Sequence, residues 1–553
     1  MKEILFEKPN FSKKEEKLLK PFFTNLDKSV YGILFLPPEV AGALCSRASR
    51  SQYDLRIVFL KEFLQPFLNR KSKDSYNESL LKFIKFFNKH SIYKIFSNQR
   101  AREFYIKWLA QYGDDSIAQM AGTYLIFSSL SQVAIKHIEN QRIGIAPIEK
   151  STRFVDFSKK IKNRFRYFIP PEIRKMNFYF LYKSTMDEVF EKYNFLYQKY
   201  FEYLKENYKD EKEIVIKSKA FDVARSILPT STLSQISLFG NGQAFEYLIL
   251  RSRKHKIYEI RWLSKRAFEE LKLIIPSFLR RIYKKKSIDY QKYLGERIIR
   301  EREAINSVFG SLEFKKTNIK INEKVKLVEY DKDGENKVIA ALLYFQSQMP
   351  YEKILEKIRR LSYSKKEEIL NRIIYDRKFR WYKVPRAFEN VYLRFEIVTN
   401  IGAWRDIQRH RMHTQQHQIF TIYNGYEIPE ELIEVKLDKD FKITLEKIEK
   451  LYEKIYKKDP IVAQYCVSFA HNIRFMQFQN LRQFFWETEL RTIPQGHKDY
   501  RKIEQEKAKI VKNIYPIIGK YLLVDFNDYF FARRGVEKSI LKKERELKKI
   551  KYG

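Results

Sequence analysis

Two distant stretches of this 553-residue chain follow one plan. A chain that repeats a long plan once folds most simply as two comparable lobes. The first stretch carries Gly113-Asp114-Asp115-Ser116-Ile117-Ala118-Gln119, a mixed apolar run, Asn140-Gln141-Arg142, and then Glu149-Lys150-Ser151-Thr152-Arg153-Phe154. The second carries Val384-Pro385-Arg386-Ala387-Phe388-Glu389-Asn390, a similar run (VYLRFEIVTNIGAWRDIQ), and Arg409-His410-Arg411. Gln119 to Arg142 spans 23 positions and Glu389 to Arg411 spans 22. Downstream, Arg251 is followed by His255 and Arg491 by His497. The layout predicts a lead-in over 1–29, a first copy over 30–285 with an insertion at about 158–220, and a connector over 286–321. A second copy follows over 322–535, then a basic tail over 536–553.

Periodicity predicts a helix-rich α+β protein. Asp54 to Leu68 and Glu78 to Phe87 have amphipathic helical spacing, and Thr123 to Ile138 turns from strand-like to helix-like. Residues 158–220 carry Phe190, Tyr193 and Leu196 among many charges and are expected to form long solvated helices. The basic, polar stretch 283–322 has the composition of a connector. Lys324 to Tyr330 alternates like a strand and is followed by the turn residues Asp331-Lys332-Asp333-Gly334.

With 108 Lys and Arg against 68 Asp and Glu, the chain has a formal charge of +40. Basic surface attracts polyphosphates and anionic small substrates alike. Lys is also scattered and accompanied by much Ile, Phe, Tyr and Asn, the pattern that AT-rich coding produces, so both origins of the charge stay open. The hydrophobic content of 44% argues against disorder. Cys45 and Cys466 cannot form a disulfide framework and are expected to be small buried hydrophobes rather than nucleophiles. No apolar run is long enough for a membrane span, and a soluble, cytoplasmic protein is expected.

Arg409-His410-Arg411 is the densest chemical cluster. Two permanently charged guanidiniums around an imidazole suit an anionic or electron-rich planar ligand. Glu149, Ser151 and Arg153 alternate, so an extended backbone would turn all three to one side and offer a hydroxyl and a guanidinium to a phosphate. His410, His413 and His417 would share a face if helical, a spacing compatible with a metal, but no CxxC or HExxH accompanies them and no metal is expected. There is no P-loop and no GxGxxG.

These residues resemble a known family. Arg409-His410-Arg411 is similar to the start of the RHRxxSxNExSxRY signature of flavin-dependent thymidylate synthases, and Glu149 to Phe154 is similar to its end. Cys45-Ser46-Arg47-Ala48-Ser49 resembles the family's A-R-x-S element, and Pro385 to Asn390 its P-F-E-H element. Val223 to Pro229 resembles the V-A-R-x-x-L-P helix start, and Leu250 to Ile260 the L-R-x-x-x-H-x-x-x-E-I helix. Asn480-Leu481-Arg482 and Leu490-Arg491 resemble its N-x-R and L-R positions. The resemblance implies two tandem copies of that fold, each helix-rich around a central antiparallel sheet.

The departures from the pattern are complementary. The first copy keeps the ExSxR loop and Arg225, but its RHR is Asn140-Gln141-Arg142, one residue further from the loop, and its N-x-R is Asn241-Gly242-Gln243. The second keeps RHR, N-x-R and L-R, but its ExSxR is His417-Gln418-Ile419-Phe420-Thr421, and Gln464 replaces Arg225. Asp406 stands where the family usually has Gln. The resemblance therefore implies a composite site. Glu149, Ser151, Arg153 and Arg225 would hold dUMP, with Asp406, Arg409 and Arg491 against the uracil. Arg409 and Arg491 would serve as the catalytic cations. Glu389, Arg409, His410, Arg411, Asn480 and Arg482 would bind FAD. The implied reaction is reductive methylation of dUMP to dTMP with methylenetetrahydrofolate and NADPH. The implied assembly is a homodimer, a pseudo-tetramer of four repeats.

Three other uses of these residues predict different outcomes. A retired synthase fold would bind nucleic acid in a salt-sensitive way and hold no flavin. An enzyme with a changed pyrimidine substrate would hold flavin without forming dTMP. A histidine-cluster metalloprotein would hold a metal.

Overall fold

The computed structural model describes residues 4–68, 75–90, 98–111, 115–310 and 324–549. Gly113 and Asp114 of the first repeated motif, residues 311–323 of the expected connector and the end of the basic tail lie outside the described residues. The chain divides into two compact units. One comprises Met1–Tyr197, Ile227–Phe314 and Lys439–Ser468, and the other Gln198–Ser226, Lys315–Asp438 and Phe469–Gly553. Each unit is built on the sheet of one repeat and includes a helical segment of the other.

The first unit holds a four-stranded antiparallel sheet in the order β1-β2-β4-β3. The strands are β1 (Val30–Ile33), β2 (Gly122–Ser131), β3 (Ile145–Glu149) and β4 (Leu233–Asn241). β2 becomes helix α1 (Gln132–Glu139) where the Ser131 side chain accepts from the Ala134 amide, as the change of periodicity within 123–138 predicts. The second unit repeats the design with β5 (Val325–Tyr330), β6 (Tyr392–Asn400), β7 (Thr414–His417) and β8 (Asn472–Asn480) in the order β5-β6-β8-β7.

Register fixes which residues correspond. Glu149 faces Ile236, five positions before Asn241, and His417 faces Phe475, five before Asn480. His417 thus occupies the sheet position that Glu149 has in the other repeat. Asn241 caps helix α4 (Gly242–Arg253) and Asn480 caps helix α9 (Leu481–Arg491), each through its side-chain oxygen.

The remaining helices used below are α2 (Tyr179–Asn207), α3 (Glu213–Ala224), α5 (Tyr258–Ile274), α6 (Lys285–Phe309), α7 (Ile401–Ile407), α8 (Asp438–Tyr456) and α10 (Lys498–Ile514). Two expectations are corrected. Helix α2 is long, but it is a core helix rather than a solvated one, burying Tyr182, Met186, Val189, Phe190, Tyr193 and Leu196. The stretch expected to be only a connector contains α6, whose Gln291 and Leu294 are buried. The segment 55–68 is helical through a π-type middle turn at Phe59–Leu64. Among the described residues no helix is long and apolar enough to cross a membrane.

Candidate functional site

The second unit gathers cations around one carboxylate. Asp406 lies on α7, and Arg409, on the turn that follows, places Nη1 3.2 Å from Asp406 Oδ1. Burial works against a charge on Asp406. The guanidiniums of Arg409, Arg491, Arg225 and Arg405 outweigh it and hold the carboxyl far below the usual carboxylate range. Arg409 and Arg491 come from the second repeat, whereas Arg225 is the C-cap residue of α3 in the first. Three arginines read from the two copies of the sequence therefore act on one side chain inside one compact unit. Arg225 is itself buried and keeps Asp222 at 3.6 Å.

Helix α9 orders the next layer. Arg491 in its last turn donates from Nε to His410 Nε2 at 2.7 Å. Gln483 in its first turn brings its amide to 3.4 Å from His410 Nδ1. Burial, helped by the nearby Arg491, pushes the His410 imidazole down to about 3, against the opposing pull of Glu487. Behind it Gln477, Glu487, Glu504, Lys507 and His413 form a buried charged network. Lys507 Nζ stands 3.0 Å from Glu504 and 3.4 Å from Glu487. Burial raises Glu504 to about 7, and Lys507, together with the histidines, draws Glu487 well below its ordinary value.

At the N-terminus of α9, Arg482 donates to Glu389 Oε1 at 2.8 Å and to the Val384 carbonyl at 2.9 Å. Arg386 also reaches Glu389, at 3.2 Å. Burial opposes the charge on Glu389, but these two arginines hold its carboxyl below the ordinary range. Arg411 is exposed. The structure thus gathers Asn480, Arg482 and Arg491 on α9 and its cap, Arg409 and His410 on the turn that follows α7, and Glu389 on the 3-10 turn Arg386–Asn390 that leads into β6.

The first unit holds the corresponding positions with amides in place of Glu389, Arg482, Arg409 and His410, and keeps Arg251. Gln119 donates to Gln243 at 3.0 Å where the other repeat has Glu389 and Arg482. Arg251 donates to Gln141 at 3.4 Å where the other has Arg491 and His410. A Cβ on Gly242 would meet the Phe278 ring at 2.7 Å, so this aromatic packs against the start of α4. The extra residue before the ExSxR loop is taken up by left-handed backbone at Arg142 (φ 62°) and Gly144 (φ 80°).

The ExSxR residues lie in this unit. Glu149 ends β3 and is buried, accepting from Gln132 at 2.5 Å and from Lys136 at 3.3 Å. The Ser151 amide donates to the Ser49 carbonyl at 2.8 Å, which joins the loop to the element around Cys45. The chain turns after Ser151, whose hydroxyl accepts from the Arg153 amide at 3.3 Å, so the alternation expected of an extended loop stops there. Cys45 and Cys466 are buried, and burial pushes the Cys45 thiol up to about 11. His410, His413 and His417 are not on a helix, because the chain enters β7 at Thr414, and they share no helical face.

Sequence reasoning missed Arg405, Gln483 and the Glu487–Lys507–Glu504 network. Glu504 and Lys507 are three positions apart on α10 and look in sequence like an ordinary solvated pair. Only the packing of α10 against α9 and β6 buries them.

The model of the thymidylate synthase complementing protein family matches the chain twice, over residues 73–277 and 326–517. A UPF0159 protein of Chlamydia muridarum is 32% identical over 547 residues, covering 96% of this chain and 98% of its own length. A UPF0159 protein of Thermoplasma acidophilum is 28% identical over 534 residues, covering 90% of this chain and 97% of its own. A flavin-dependent thymidylate synthase of Corynebacterium diphtheriae is 36% identical over 109 residues, which are 19% of this chain and 40% of that protein.

Proposed function

The chain belongs to the thymidylate synthase complementing protein family, and from that premise we propose that it is a flavin-dependent thymidylate synthase. It converts dUMP to dTMP by reductive methylation, with FAD as cofactor and NADPH and methylenetetrahydrofolate as co-substrates. The observation that carries this reading is that Arg225 of the first repeat shares one compact unit with Asp406, Arg409 and Arg491 of the second, where Arg409 contacts Asp406 at 3.2 Å and the arginines together favour its charge. Each repeat has lost what the other keeps, and this pairing supports a site made from both.

The donor set of the second unit suits a diphosphate-bearing dinucleotide. The start of α9 and the Arg482 and Arg411 guanidiniums supply positive charge for phosphates. Glu389 holds Arg482 in place, and Asn480 spends its side chain on capping the helix. His410 is neutral and fixed by Arg491, so it can orient a flat ring without adding charge. The bound flavin supplies the redox chemistry.

Arg225 holds the nucleotide's phosphate in this account, while Glu149, buried against Gln132 and Lys136, braces the loop that carries Ser151 and Arg153. Arg409 and Arg491 face the uracil, where fixed cations stabilise the anionic ring that attacks a carbon electrophile. Asp406 sets the spacing of those cations and keeps them from repelling one another. No cysteine takes part, in keeping with the burial of both thiols. The two repeats, over 30–285 and 322–535, are two copies of the synthase fold, and two chains pair into an assembly of four repeats with half the usual number of sites.

The direct test is turnover of purified chain with FAD, dUMP, methylenetetrahydrofolate and NADPH, with dTMP detected chromatographically. Formation of dTMP that Arg225→Ala abolishes supports the reading. Bound flavin with no dTMP under any condition would reject it.

A further inference from the structure

Between Tyr375 and Arg386 the second unit carries a segment, YDRKFRWYKVPR, in which aromatic and cationic residues interleave. Its five cations (Arg377, Lys378, Arg380, Lys383 and Arg386) stand against one internal acid, Asp376. Tyr375 is 74% exposed and Trp381 60%, and Phe379 and Tyr382 are exposed as well. Solvent-facing aromatic clusters of this kind mark interaction sites.

The segment is anchored. The Arg377 side chain is buried and forms a two-pronged ion pair with Glu489 at 2.7 and 2.5 Å. It also donates to the carbonyls of Tyr521 at 3.0 Å and Tyr382 at 2.5 Å. The rings of Phe379 and Trp381 stack 4.7 Å apart and 3° from parallel, with Tyr382 edge-on to Phe379. Arg380 and Lys383 lie over the Trp486 ring at 5.9 and 5.6 Å. Lys378 pairs with Asp376 at 3.2 Å, and Arg386 shares the half-buried Glu389 with Arg482. Arg377 is neutralised in the interior, which leaves an outer strip of aromatic faces among Lys378, Arg380, Lys383 and Arg386.

We propose that this strip binds single-stranded nucleic acid, with bases stacking on Trp381 and Tyr382 and backbone phosphates meeting Lys378, Arg380 and Lys383. Exposed rings held in place cost little to order, and every base offers a face to stack on them. Several rings and cations in succession suit a polymer that lays down several bases, whereas a lone nucleotide is better served by a concave pocket. Trp381, Tyr382, Lys378, Arg380 and Lys383 are none of the residues proposed for dUMP or FAD, whereas Arg386 is tied to Glu389 of the flavin set and is not counted among the phosphate contacts.

The test uses the full-length chain and a fluorescein-labelled 20-nucleotide oligothymidylate, followed by anisotropy at several salt concentrations. Three phosphate contacts give log K against log salt a slope of about −2. Trp381→Ala should weaken binding about tenfold or more at unchanged slope, and Trp381→Phe should retain most of it. Lys378→Gln combined with Lys383→Gln should weaken binding and flatten the slope by about 1.4. Lys542→Gln combined with Lys543→Gln, in the basic tail, should change nothing. The proposal is overturned by undetectable binding at the lowest salt, by equal affinity of Trp381→Ala and wild type, or by duplex DNA binding as tightly as the single strand. A change of oligomeric state in folded Trp381→Ala, seen by sedimentation, would assign the strip to a second copy of the chain and also overturn it.

Discussion

Arg491 donates its Nε hydrogen to Nε2 of His410 across 2.7 Å. An accepting Nε2 leaves the imidazole proton on Nδ1, which requires the neighbouring Gln483 side-chain amide to present its oxygen there, and burial depresses the ring to about 3. His410 should therefore stay neutral and in a single tautomer from pH 5 to pH 8. Nitrogen-15 histidine spectra of the folded protein should show one unshifting Nδ1-protonated ring. A His410 signal that titrates near its ordinary value would contradict the geometry.

Arg225 has Gln464 as its counterpart in the second repeat, which makes glutamine a substitution the fold already accepts at that position. Arg225→Gln should lower kcat/KM for dUMP by about 10²–10³-fold, the usual effect of deleting one oriented cationic donor. Its melting temperature should stay close to wild type. An equal loss of stability and activity would mean that Arg225 only packs.

One flavin per chain is expected, because the first repeat carries Gln119–Gln243 and Phe278 where the second carries Glu389–Arg482. Arg482→Gln should abolish flavin retention, and Gln243→Ala should leave it intact. Absorbance of the gel-filtered protein gives the stoichiometry, and two flavins per chain would contradict the assignment.

Glu259 on α5 accepts from the Ser131 amide at 2.8 Å, its hydroxyl at 2.5 Å and the Tyr465 hydroxyl at 2.7 Å. Burial nevertheless raises its carboxyl from 4.5 to about 7. The folded chain then holds a proton that the unfolded chain has released between those pH values. The associated stability is full below pH 4.5 and is lost as the pH rises through 7. Glu259→Gln should remove up to about 3 kcal/mol of that pH dependence, read from urea unfolding at pH 5 and pH 8. An unchanged difference between the two pH values would exclude Glu259 as its source.

Much of this was legible in the sequence because it rests on local rules. The change from period two to helical spacing within 123–138 marks the end of β2 at Ser131, a capping residue. The paired elements around Asn241 and Asn480 recur because each asparagine starts a helix at the end of a strand. The identity of helix α2 was hidden because Lys and Glu between its buried tyrosines mimic a solvated face. Helix α10 hid Lys507 for a related reason, since an i, i+3 Glu–Lys pair carries no mark of depth. The helical segments that each compact unit takes from the other repeat leave no trace in composition, because membership is settled by long-range packing alone.

The most direct measurement is the visible absorption spectrum of the purified full-length protein with FAD, before and after dUMP is added. The account predicts retained flavin whose spectrum shifts on dUMP addition, with the shift lost in Arg225→Gln. Failure to retain flavin, or a flavin spectrum indifferent to dUMP, would contradict a site assembled from both repeats.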